Sequence, residues 1–386
     1  MINKIVYLIA SPLYNRDYDR FGAEIFIKSG YQVCFYNIAP FINSELYKHA
    51  SKDDLYLGAN ELIFDNIDDI ISNIKNLQKS FIISLIHFNS NVLHIYKQIS
   101  KNKIPYALNI SNCVPTTIAG VNTDKIKRLG KFSLSKLNNF IYRPKHAKYF
   151  GINQPTYLLA GGDRSISHPQ ALLAGDKSKI LWLHTFDYDI YLKNKNVDNN
   201  RNIGVFIDAP SPRFTHDAYI KGINSPLTEE KYYPKICKLF DIVENQYDVK
   251  IEIAAHPKTK HAEYPEYYGR RKTVYGKTCQ LIRDSKFIIN RNSTSVNFAI
   301  LFNKPVIFHT SDEIESDHVM SNQVRSMASW IGKNPINIDN LNNINWINEL
   351  TVDNVKYLSY KNAFIKKDNS TNKYYWESVR DHIRGI

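Results

Sequence analysis

Cysteine is scarce in this sequence, and its placement excludes the chemistry that cysteine usually signals. The four residues (Cys34, Cys113, Cys237 and Cys279) are scattered and form no Cys-x-x-Cys pair. That argues against a zinc site and fits reduced thiols in a cytoplasm. Long hydrophobic runs are missing too. No apolar stretch approaches the ~20 residues that span a bilayer. The opening run Ile5–Ala10 leads into the charged segment Arg16–Arg20, as a first buried strand does and a signal peptide does not. Acids are outnumbered: 37 Asp and Glu face 50 Lys and Arg, for a net charge of +13. No nucleic-acid module signature accompanies that charge, so the partners expected are an anionic small molecule or an anionic membrane surface, and not nucleic acid. No internal repeat is present.

What is there is an ordinary globular composition, 43% hydrophobic and 23% charged, over 386 residues, enough for two domains with cores of their own. The first half alternates strand and helix. Strands are expected at Lys4–Ala10, Tyr31–Asn37, Leu62–Phe64, Phe81–Ile86, Pro105–Ile110, Tyr157–Ala160 and Ile180–His184, with helices at Arg16–Ser29, Ile67–Leu77 and Val92–Ser100. The Asn-rich stretch Lys193–Asn202 reads as a linker. Alternation then restarts with strand Ile203–Ile207, helix Glu229–Asn245 and strand Val249–Ala255. Helix Lys277–Asp284, strand Lys286–Ile289, helix Thr294–Leu301 and strand Val306–His309 follow, then a helical region Ile314–Ile331 and a tail helix Tyr374–Ile383. Such alternation implies parallel sheets covered by helices on both faces. The expected fold is α/β with two Rossmann-like domains facing a central cleft, the GT-B arrangement. The domains expected are residues 1–195, 196–360, and a C-terminal helix in 361–386 that crosses back to the first.

Two polar clusters sit where strands end and helices begin, the usual ligand crevice of an open α/β sheet. His256-Pro257-Lys258 ends one strand; its imidazole can donate to a phosphate oxygen and Lys258 adds a charge. Asn292-Ser293-Thr294-Ser295 ends another. A helix cap needs one hydroxyl and three follow in a row, which suits phosphate recognition at a helix start if His256 lies on the neighbouring strand end. Gly276-Lys277-Thr278 looks like the end of a P-loop, but Arg271 stands where that motif needs glycine, so an NTPase loop is excluded; a helix start facing a nucleotide and a plain helix entry are both left open. Candidate bases are Asp208 after Ile203–Ile207, Asp17 and Asp19 after the first strand, and Asp187 and Asp189 after Ile180–His184. Two Asp-Tyr-Asp triplets (17–19 and 187–189) raise a metal-bound transferase, which the two α/β halves argue against, so no metal and no cofactor are expected. Between Asp124 and Tyr149, eight basic residues (125, 127, 128, 131, 136, 143, 145 and 148) face one acid and interleave with Leu129, Phe132, Leu134, Leu137, Phe140, Ile141 and Tyr142. That segment suits either an anionic membrane surface or a solvated helical hairpin.

A His-Pro pair ending one strand, with a Ser/Thr cluster two strand–helix steps later, resembles the donor site of bacterial CMP-sugar glycosyltransferases of surface-polysaccharide synthesis. These include the sialyl-, polysialyl-, Kdo- and pseudaminyl-type enzymes. The resemblance implies that His256, Pro257, Ser293, Thr294 and Ser295 contact CMP and its phosphate. It further implies transfer of an acidic sugar (sialic, pseudaminic or legionaminic acid, or Kdo) to a glycan or lipid-linked glycan acceptor of lipopolysaccharide or capsule. An acidic motif of those families, two acids followed by Gly, is absent here, which leaves the base unassigned. Alternatives are a UDP-, GDP- or dTDP-sugar donor, or a non-catalytic module that binds a nucleotide or an anionic glycan. The expected location is cytoplasmic, and the basic segment points to a peripheral position at the inner membrane.

Overall fold

The computed structural model describes residues 1–50, 54–116, 143–197, 199–213, 225–257 and 259–386. Lys258 and residues 124–142 of the basic segment lie outside the described residues. Arg143 to Tyr149, the rest of that segment, lead into and form most of the 3-10 helix Pro144–Phe150. The chain divides into two compact units. Unit 1 holds Met1–Cys113, Lys127–Phe186 and Lys366–Ile386; unit 2 holds Val114–Ile126 and Asp187–Ile365.

Unit 1 is a parallel sheet of β1 (Lys4–Ile9), β2 (Gln32–Asn37), β3 (Glu61–Ile63), β4 (Ser80–Ser84), β5 (Tyr106–Asn109), β6 (Tyr157–Ala160) and β7 (Lys179–Trp182), in the order β3-β2-β1-β4-β5-β6-β7. Its central strands β1, β4 and β6 read as mostly apolar runs because both faces are buried. Along β1, Val6 and Leu8 enter one core while Ile5, Tyr7 and Ile9 enter the other, as a two-residue side-chain period requires. The helix expected over Arg16–Ser29 is instead two, Asn15–Arg20 and Ala23–Ile27. Gly22 breaks it with a left-handed φ of +62°, and a Cβ there would stand 2.4 Å from Cδ1 of Trp376. The tail helix Tyr375–Ile383 causes the break: Trp376 is 2% exposed, its indole N–H donates to the Arg20 carbonyl at 2.7 Å, and its ring meets Tyr7 edge-on at 5.6 Å. Burial of an indole of this kind is worth roughly 4–6 kcal/mol by area, more than the break costs.

Unit 2 is a second parallel sheet: β8 (Ile203–Ile207), β9 (Lys250–Ala254), β10 (Thr273–Val274), β11 (Phe287–Asn290), β12 (Val306–Thr310) and β13 (Ile336–Asn337), in the order β10-β9-β8-β11-β12-β13. Two of these, β10 and β13, are two-residue edge strands too short to give a sequence period. The helix Glu229–Tyr247 covers one face, packing Ile236, Leu239, Phe240 and Val243 on Phe206, Ile251, Ile253 and Phe287. Gly204 lets the central strand sit close to its neighbour: a Cβ there would lie 2.6 Å from the Phe287 ring. The order corrects one expectation. His256 and Ser293 do not follow adjacent strands, because β8 runs between β9 and β11 and puts the loop after Ile207 between them.

Candidate functional site

In unit 2 the chain leaves β8 towards β9 on one side and β11 on the other, so the strand order reverses at β8 and β11. A crevice at the carboxyl ends of the strands is expected at such a reversal. Three loops meet there: 208–213 after β8, 255–257 with 259–261 after β9, and 291–295 after β11.

Asp208 does not face outwards, as its position one residue beyond β8 had promised. It is 2% exposed, and its carboxylate turns inwards onto four groups. Oδ1 accepts from the Tyr268 hydroxyl at 2.6 Å and lies 3.2 Å from Nε2 of His261. Oδ2 accepts from the His256 backbone N–H at 3.1 Å and the Thr259 hydroxyl at 3.0 Å. Burial alone would raise this carboxyl. His261, Tyr268 and the His256 N–H outweigh it and hold the group below the ordinary aspartate value. The Thr259 N–H and hydroxyl also reach the His256 carbonyl, at 2.9 and 2.8 Å, which staples the His-Pro turn. His256 is half-buried and Pro257 exposed, so the turn presents one face to solvent while Asp208 holds its backbone from beneath.

Across β8, the loop after β11 closes on itself. The Ser293 N–H donates to Oδ1 of Asn290 at 3.1 Å, and the Ser295 N–H to the Ser293 hydroxyl at 3.3 Å. Ser295 precedes the helix Val296–Leu301 without a side-chain cap, and Thr294 is exposed. Asn292 donates to Oε1 of Gln323 at 3.1 Å. The helix start was expected to supply the positive field, but six residues give a weak dipole. The charge comes from Arg291, whose importance the flanking asparagines and hydroxyls hid in the sequence. Arg291 is 4% exposed and its Nη2 donates to the Ser211 hydroxyl at 2.8 Å, tying this loop to the one after β8. Its guanidinium lies 5.6 Å from the Tyr232 ring centre. His309 on β12 is buried in the same neighbourhood, 6.0 Å from the Tyr232 ring and 5.9 Å from Phe206.

The remaining candidates scatter. Gly276 and Lys277 are exposed after the edge strand β10, beside β9 and separated from β11 by two strands; Gly276 has a φ of +69° and Thr278 opens the helix Thr278–Asp284. Asp187 lies in the first turn of the helix Phe186–Asn194, half-buried, and accepts from Nδ2 of Asn297 at 2.9 Å. Asp19 is exposed in Asn15–Arg20 of unit 1, where Asp17 is 8% exposed and paired with Arg16 at 3.2 Å. Among the described residues no group of three or more His, Cys, Asp or Glu could hold a metal ion, and no helix is long and apolar enough to cross a membrane.

No protein-family model matches this sequence, and no curated protein is similar to it. Solved structures are similar in fold. The wall teichoic acid polymerase TagF superposes with a TM-score of 0.55 at 12% identity, over 99% of this chain and 89% of that one. MnaA of S. aureus, solved with UDP, gives 0.51 at 12% identity, over 100% and 96%. The UDP-GlcNAc 2-epimerase of Methanocaldococcus jannaschii gives 0.50 at 12% identity, over 99% and 100%. The chain therefore has the GT-B type of α/β fold, two Rossmann-like units each built on a parallel sheet.

Proposed function

We propose that this protein is a sugar-transferring enzyme that takes its donor as a nucleotide-activated sugar, bound by unit 2, and passes the sugar to a glycan or lipid-linked glycan acceptor, the task assigned to unit 1. One observation carries the reading: at the strand reversal of unit 2, His256, Ser211, Arg291 and the Ser293–Ser295 loop gather at the carboxyl ends of β9, β8 and β11. A crevice so placed, with hydroxyls, an imidazole and a buried guanidinium, matches the needs of a nucleotide phosphate. In turnover these groups stabilise charge that grows on the departing phosphate, the electrostatic role that usually dominates such sites. Asp208 serves by positioning His256, since its carboxylate already accepts from protein donors. Asp19 and Asp187 stay as candidates for the acceptor base. No metal or further cofactor is called for.

The nucleotide favoured is uridine diphosphate, because MnaA with UDP and the UDP-GlcNAc 2-epimerase share the fold. The second reading, CMP with an acidic sugar, is favoured by His256-Pro257 at the end of β9 and Ser293-Thr294-Ser295 at the end of β11. The net charge of +13 and the basic stretch 124–149 extend either reading to a peripheral position on an anionic membrane in the cytoplasm. Calorimetric titration with UDP, UMP, CMP and GDP, with His256→Ala as control, tests the proposal. Selective UDP binding that weakens in the variant supports the first reading and selective CMP binding the second. Absence of all nucleotide binding refutes both. Nucleotide binding without transfer to any glycan acceptor, or with interconversion of free UDP-sugars, would make the protein a binding module or an epimerase instead.

A further inference from the structure

We infer that Arg291 and His309, at the carboxyl ends of β11 and β12, form with Tyr232 of the helix Glu229–Tyr247 a buried subsite for a phosphoryl group. The inference rests on the nucleotide reading and names the side chains that hold the phosphate. Arg291 departs from five other arginines of unit 2; Arg270, which likewise has no ion pair among the described residues, is exposed to solvent. Arg201 pairs with Glu252, Arg213 with Glu229, Arg271 with Asp241 and Glu244, Arg283 with Asp284, and Arg325 with Glu315. Arg291 is more buried than any of these, yet among the described residues its partners are neutral oxygens: Ser211 Oγ at 2.8 Å, the Ser211 carbonyl at 3.5 Å, Asn292 Oδ1 at 3.4 Å and the Tyr232 hydroxyl. A buried cation without a counter-ion is costly, and one that a fold retains calls for a ligand of opposite sign.

The second observation is independent. His309 is 0% exposed, and neither ring nitrogen has a hydrogen-bond partner among the described residues. Burial and the Arg291 charge push its pKa down to about 3, so the ring is neutral, with one N–H to give. Burial pushes the Tyr232 hydroxyl up to about 12, which keeps it a donor as well. A guanidinium, a phenol and an imidazole N–H, walled by the apolar Phe206 ring, suit a tetrahedral ligand that only accepts hydrogen bonds. The low dielectric strengthens each contact. A phosphoryl oxygen would complete the set that the protein leaves open.

The test is calorimetry on the full chain with UDP and CMP, with uridine and cytidine as phosphate-free controls, and with inorganic pyrophosphate. Wild type is compared with Arg291→Gln and His309→Phe. The expected result is a loss of about 10–100-fold in nucleotide affinity for Arg291→Gln, the value of a charge-assisted hydrogen bond, with nucleoside binding unchanged. His309→Phe shows a smaller loss. Both variants melt at or above wild type, because Arg291→Gln removes a buried charge with no counter-ion among the described residues and His309→Phe removes a buried ring with no hydrogen-bond partner among them. A structural role predicts the reverse, lower melting temperatures with unchanged nucleotide affinity, and overturns the subsite. If wild type binds UDP or CMP as tightly as both variants do, the subsite fails and the nucleotide reading stands. If wild type binds pyrophosphate through Arg291 but no nucleotide, the subsite stands and the nucleotide reading fails. If it binds none of the probes, both fail.

Discussion

Replacement of Asp208 by Asn puts the hub beneath the His-Pro turn to a quantitative test. The carboxylate accepts from Tyr268 and faces His261 on one oxygen, and accepts from the His256 N–H and Thr259 on the other. An amide offers one oxygen and one NH2. With the oxygen towards Tyr268, the NH2 meets the His256 backbone N–H, a donor that cannot turn. With the oxygen towards His256, the NH2 meets a phenol that rotates to accept and an imidazole nitrogen that accepts in one tautomer. The second orientation is favoured, so the variant keeps the turn and loses the charge. The cost is about 1.5–3 kcal/mol, the value of hydrogen bonds to a charged acceptor. For a unit of this size that is a fall of about 3–12 °C in melting temperature. Asp208→Ala strands every donor and costs about 3–5 kcal/mol, and it weakens nucleotide binding more than Asp208→Asn because His256 loses its anchor.

The pH dependence has a definite sign. The folded carboxyl lies below its ordinary value of 3.8, so its stabilisation is full above 3.8 and is lost as pH falls from there through the lower folded value. The stabilities of wild type and Asp208→Asn should therefore differ at pH 7 and begin to converge only as pH falls below about 4. Equal stability at pH 7, or a gap that widens in acid, refutes this account of the hub.

Three further outcomes follow from other parts of the fold. Gly22→Ala meets both a left-handed backbone and the Trp376 ring at 2.4 Å; denaturant titration should show a loss of about 2–4 kcal/mol, and a neutral result would mean that the helix break is not needed there. Trp376→Ala empties the buried centre of the unit 1 aromatic cluster and leaves the Arg20 carbonyl without its donor; the expected loss is about 3–5 kcal/mol, measured by urea unfolding followed on the near-ultraviolet signal. His309 has a folded pKa of about 3 against an ordinary 6.5, so the wild-type fold loses stability as pH falls from about 6.5 towards 3, where the unfolded chain takes up a proton that the buried ring refuses. The His309→Phe variant should show a flatter decline of melting temperature between about pH 6.5 and pH 4 than wild type, and parallel declines would contradict the burial of an unpartnered ring.

Much of the fold was legible because it rests on local pattern. The strands Tyr157–Ala160 and Ile203–Ile207 fall on the residues that their apolar runs indicate, and Gly30 ends the second helix segment with a φ of +87°. The two polar loops stand at strand ends, as turn chemistry implies. Three things were not legible. The two-residue strands β10 and β13 carry no period. Arg291 sits in a polar run that reads as a solvated loop, and only its 4% exposure marks it out. Asp208 reads as an outward strand-end acid, and only Tyr268 and His261, supplied by a loop much later in the chain, turn it inwards.

The sequence by itself determined the alternation of strand and helix, the two-unit α/β class and the places where polar chemistry could stand, because hydrophobic period and turn residues act over a few neighbours. Tertiary structure decided which strands lie side by side. It set β8 between β9 and β11, joined Ser211 to Arg291, broke the helix at Gly22 against Trp376, and buried Arg291 without a counter-ion and His309 without a hydrogen-bond partner among the described residues. Those outcomes depend on contacts between residues far apart in the chain, where burial and the balance of charge are settled only once the sheets are assembled.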